Sequence, residues 1–140
     1  MFNTRLPAED RGITILRIAV AILLGIHGIY RAWTGGATGF GIYLTESGFP
    51  LGTVIAWSIT VFEIVGMAAL LLRRFIIPVA LGFIFILTAG ILMIHGREGW
   101  FVVGGGRNGM EYSVLLLSAL IALIVSHRSA VHAAKHTIRS

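Results

Sequence analysis

Residues 13–33 read ITILRIAVAILLGIHGIYRAW. At about 1.5 Å per residue this apolar run makes a helix about 31 Å long, which matches the hydrocarbon core of a bilayer. Yet it carries Arg17, His27 and Arg31. At about 100° per residue, Arg17, Ala21, Leu24, Gly28 and Arg31 fall within one arc, with His27 on its edge. A charge near the bilayer centre costs about 2.5–3.5 kcal/mol on insertion scales, so this stripe must face a bundle interior and find partners there.

The rest of the chain has the composition to supply such a bundle. Of 140 residues, 56% are hydrophobic and 12% charged, against about 25% charged in an average soluble domain. Mean hydropathy is +0.90. These values describe an integral membrane protein with no room for a separate soluble catalytic module. The net charge of +5 does not point to nucleic acid, because the basic residues gather at span ends and not on one soluble face. There is no cysteine, hence no disulfide, thiolate metal site or iron–sulfur cluster. The polar opening, MFNTRLPAEDRG, is unlike the basic start of a signal peptide, and the first span is expected to be retained.

Three further spans follow, at about 51–72, 75–94 and 110–126. The fold class expected is all-α: a polytopic membrane protein built as an antiparallel four-transmembrane-helix bundle, with a short N-terminal segment (1–12) and a basic tail (127–140). Between the first two spans, TGGATGFGIYLTESGFP holds five glycines before Pro50, which argues against a continuous helix. Its Phe40, Ile42, Tyr43, Leu44 and Phe49 suit a short re-entrant or amphipathic piece, and Trp33 and Tyr43 suit the aromatic belt. Glu63 lies ten and eleven residues before Arg73 and Arg74, so about 15 Å from that surface and near the midplane. A carboxylate there must be paired or protonated. Arg73 and Arg74 form the whole turn before the third span, as in an antiparallel hairpin.

The loop HGREGWFVVGGGRNGME follows His95. Its Gly104, Gly106 and Gly109 match G-x-G-x-x-G in letter only, without the strand and helix context of a dinucleotide site. They read as glycines that let the chain turn tightly into the fourth helix. By the positive-inside rule, Arg5, Arg11, Arg73, Arg74, Arg128, Lys135 and Arg139 put both termini in the cytoplasm, with Arg97 and Arg107 outside. His27, Arg31, His95, Arg107 and Glu111 then converge in the outer half, with Glu63 deeper and Arg17 toward the cytoplasm. In one reading this cluster only fixes helix register, through Arg17 or Arg31 with Glu63 and through Glu111 with Arg31 or Arg107. In another it is a small-molecule or quinone site, since an aromatic-rimmed apolar bundle with convergent donors suits a quinone or sterol-like headgroup.

Four stretches carry a resemblance: ILRIAVAILLGIHGIYRAWTGG, GFP before the second span, FEIVGMAALLLRR, and GGGRNGMEYSVLLLSALIAL. In this order and spacing, from about Ile15 to Val125, the chain resembles the DoxX-like family of small four-helix integral membrane proteins. The family's first-helix motif usually ends in lysine, where this chain has Arg31. Charge is retained there, but a role for a deprotonated amine is not, since arginine stays protonated. The resemblance implies a multi-pass subunit of the cell inner (plasma) membrane linked to redox work. One relative is the small partner in a thiosulfate:quinone oxidoreductase, and another assembles with superoxide dismutase and a sulfurtransferase.

Four function classes remain open. The first is a membrane subunit of a redox or oxidative-stress complex, with a quinone-facing pocket around His27, Arg31, Glu63 and Glu111; any enzymatic role is at most that of a membrane subunit of a quinone-linked oxidoreductase. The second is a non-catalytic anchor or assembly factor. The third is a small-solute or proton transporter, for which an ionisable Glu63 near the midplane is the signature. The fourth is a haem carrier using His27 and His95. No metal site and no covalently bound cofactor are expected, although His132 and His136 stand one helical turn apart. The partners expected are the lipid bilayer, a soluble or membrane redox protein and further copies of the chain. The small pairs Ala21 with Gly25 and Ser118 with Ala122 serve helix packing either within one bundle or between protomers.

Overall fold

The computed structural model of the chain describes residues 10–137, with side chains through residue 132. Arg5 and Arg139 therefore lie outside the described residues, as do the side chains of Lys135 and His136. The elements are α1 (Arg11–Thr34), α2 (Gly36–Glu46), α3 (Gly52–Leu71), α4 (Ile76–Gly90) with a π-helical turn Ile91–His95, and α5 (Glu111–Thr137). No strand occurs among the described residues.

Four helical stretches are long and apolar enough to cross a membrane: Arg11–Thr34, Gly52–Leu71, Ile76–His95 and Glu111–His132. Much of their apolar surface faces outward. Phe85 is 75% exposed and Leu92 73%, which suits helices whose surroundings are lipid and not water. By length and composition this is a multi-pass membrane protein.

The chain divides into two compact units, Ala19–Phe75 on one hand and Met1–Ile18 with Ile76–Ser140 on the other. In the first, the buried residues of α3 are Gly52, Ala56, Thr60, Glu63, Gly66 and Leu70. Their spacing of three and four makes one stripe of mostly small side chains, the surface that lets membrane helices approach at backbone distance. From α1, Gly25 lies against Met67, and Gly28 against Thr60 and Glu63. Rising numbers on one helix meet falling numbers on the other, so the two helices pass in opposite directions.

The segment after Thr34 does not continue α1 and holds one short helix. Its glycines do not prevent a helix: α2 covers Gly36–Glu46, and the break is confined to Gly35, whose φ of 73° is left-handed. The reason is tertiary. A Cβ on Gly41 would stand 2.6 Å from Thr53 Cα, so the glycine that weakens the isolated helix is what seats it on α3. The helix stops at Gly48, with φ 92°. There Phe49 N–H donates to Leu44 O at 3.0 Å and Gly48 N–H to Thr45 O at 3.0 Å, a Schellman ending. The same pair of bonds closes α3, from Arg74 N–H to Ala69 O at 2.8 Å and Arg73 N–H to Leu70 O at 3.1 Å.

In the second unit, Asp10 caps α1 by accepting the Gly12 N–H at 2.8 Å, which satisfies one of the helix's orphan donors. The third span ends in a wider turn than the α-helix before it. Gly96 N–H reaches back five residues to Ile91 O at 2.7 Å, so the last turn is widened at His95. The fourth helix also extends well beyond position 126, continuing to Thr137 through the stretch read as tail.

Candidate functional site

The polar centre of the first unit is built by α1, α2 and α3. Gly28 brings the α1 backbone onto α3: a Cβ there would lie 2.8 Å from Thr60 O and 2.9 Å from Glu63 Cβ. One turn further along α1, Arg31 Nη2 donates to Glu63 Oε2 in an ion pair. Of the two arginines that Glu63 was expected to choose between, this is the one that reaches it. The Phe40 ring of α2 covers the guanidinium, with Arg31 Cζ 5.1 Å from the ring centroid, a cation–π arrangement.

The pair is unequal in exposure. The Glu63 side chain is 9% exposed and that of Arg31 23%. The carboxylate is therefore the more enclosed of the two, while part of the arginine side chain stays exposed. Arg31 Nε is buried and has no hydrogen-bond partner. A guanidinium has five N–H donors in a fixed plane, so this one has donor capacity beyond Glu63. Chemically, the site offers a cation on a partly exposed side chain, a more enclosed carboxylate paired with it and an aromatic wall.

The other expected residues take separate places. His27 is exposed, outside this contact. Arg17 is buried, at 4% exposure, and engaged in its own interactions. In the second unit, His95 Nδ1 stands 2.8 Å from Asn108 O; a carbonyl only accepts, so the proton is on Nδ1. Glu111 does not pair with an arginine, as one reading expected. Its Oε1 accepts the Val102 N–H at 2.9 Å, because the loop folds back on the start of α5 through Gly109 N–H to Phe101 O at 3.1 Å and Glu111 N–H to Trp100 O at 3.0 Å. Arg107 is exposed on that loop. The glycines there serve this turn, with Gly104 at φ 77°.

Phe40 is the contributor that sequence reasoning missed as a partner of Arg31. The available signal was its position nine residues after Arg31, beyond a single glycine hinge. No group of three or more histidine, cysteine or acidic side chains able to hold a metal occurs among the described residues. Comparison with family models, curated proteins and solved structures gives no match.

Proposed function

We propose that the chain is the membrane-embedded subunit of a redox or oxidative-stress assembly of the DoxX-like kind, and that a quinone headgroup is met at Arg31. The observation that carries this reading is the partly exposed Arg31 side chain, its guanidinium beside Phe40 and paired with the more enclosed Glu63. A quinone carbonyl needs a hydrogen-bond donor in apolar surroundings, and its ring needs a flat apolar neighbour. Arg31 and Phe40 offer these two things. Without cysteine the chain brings no thiol redox centre, so in this reading the electrons come from a partner protein and the subunit binds and orients the acceptor. The orientation proposed is the one the arginines dictate, with both termini cytoplasmic in the inner membrane.

The test is purification of the natively expressed, tagged protein in mild detergent, with identification of bound proteins and extraction of bound quinone. A soluble oxidoreductase, dismutase or sulfurtransferase partner, with quinone lost in Arg31→Gln, is the expected outcome. A preparation with neither partner nor quinone removes the proposal. A second reading, a register lock within a non-catalytic anchor, is favoured by the backbone approach at Gly28. In that case Arg31→Gln lowers thermal stability while the bound partner is unchanged and no quinone is found.

A further inference from the structure

At the far end of α5 from Glu111, a groove is lined by Ile77, His127, Arg128, Val131 and His132. Ile77 lies in the first turn of α4 and the other four on one stretch of α5, so α4 and α5 of the second unit contribute to one surface groove. We propose that this groove binds the phosphodiester headgroup of an anionic phospholipid.

Three observations converge on that ligand. The first is charge. From Phe75 onward the only side-chain carboxylates are Glu98, in the loop before α5, and Glu111, at its start, so neither α4 nor α5 offers Arg128 an acidic partner; Asp10, the described carboxylate at the start of α1, accepts the Gly12 N–H. A planar guanidinium takes a phosphate through two parallel N–H donors. The second is depth. Arg128 lies 17 residues beyond Glu111, about 26 Å along the helix. It stands within the last turns of the candidate span Glu111–His132. That is headgroup level, where basic side chains between membrane helices meet anionic lipid. The third is the mixed lining. Ile77 and Val131 give an apolar floor on which the glycerol and upper acyl carbons can lie, while Arg128 and the two imidazoles form the polar side. Free phosphate would use the cation and leave the apolar floor without function; a lipid uses both.

The probes are phosphatidylglycerol and phosphatidylcholine in mixed micelles, with inorganic phosphate as competitor, and the readout is lipid retained on the full-length protein in native mass spectrometry. Wild type is expected to retain phosphatidylglycerol in preference to phosphatidylcholine, and Arg128→Gln to lower that preference about fivefold. Arg128→Lys keeps the charge and is expected to retain most of the preference, which separates loss of binding from loss of fold. Millimolar phosphate is expected to displace little lipid. Equal retention of the two lipids by wild type, or an unchanged preference in folded Arg128→Gln, overturns the proposal. Full displacement by inorganic phosphate overturns the lipid assignment in favour of a free-anion site.

Discussion

A carboxylate near the bilayer midplane demands a partner, and Glu63 has one in Arg31. Because Glu63 is the more enclosed of the two, removing its cation costs more than the bond itself contributes, since it leaves a buried charge alone. Arg31→Met is therefore expected to destabilise the protein by about 3 kcal/mol, and the double change Arg31→Met with Glu63→Leu to recover most of that. Thermal unfolding of the four proteins of this cycle in one detergent measures both values. That Glu63 needed a partner was legible in its position between the apolar run and the Arg73–Arg74 turn. Which arginine it takes was not, because helical periodicity assigns Arg17 and Arg31 to the same stripe and Glu63, near the midplane, lies between their depths. Phe40 was illegible for a related reason: its place over Arg31 depends on the left-handed Gly35, and a glycine announces that the chain can turn without saying where it goes.

Glycine-rich membrane elements read poorly as elements, and α2 shows why. The residues that lower its helix propensity are those that α3 requires to be small, so local preference and tertiary packing oppose each other and packing prevails. Gly41→Val is expected to place its side chain against the Thr53 backbone and release α2 from α3. Gly28→Val is expected to separate α1 from α3 at Thr60 and Glu63 and to break the Arg31 pair. Each such overpacking costs about 1–3 kcal/mol. Proteolysis near Gly35 and Gly48 should become faster in Gly41→Val, while Gly28→Val should resemble Arg31→Met in the unfolding assay. The run-on of α5 is a milder case. The spans were bounded by hydropathy, which falls at His127, yet Ala130, Ala133, Ala134 and Lys135 favour helix. A fall in hydropathy ends the apolar surface and not the backbone geometry.

For the whole molecule, four apolar helices were legible from composition and run length alone, since a span is a one-dimensional property of the chain. Four crossings are expected to put both termini on one side and the loop after α2 on the other. The absence of native cysteine makes this directly measurable: in sealed inverted and right-side-out vesicles, single variants Ser47→Cys and Ser140→Cys are expected to react with a membrane-impermeant maleimide from opposite faces. Labelling of both from one face would overturn the topology. Quinone binding at Arg31 is read by titrating the purified protein with a short-chain ubiquinone and following the quenching of tryptophan fluorescence. Trp33 lies two residues beyond Arg31 and serves as the reporter. Saturable quenching by wild type, weakened about tenfold or more in Arg31→Gln as for loss of one charge-assisted hydrogen bond, is the predicted result. Quenching that rises linearly with quinone, identical in wild type and Arg31→Gln, would contradict it.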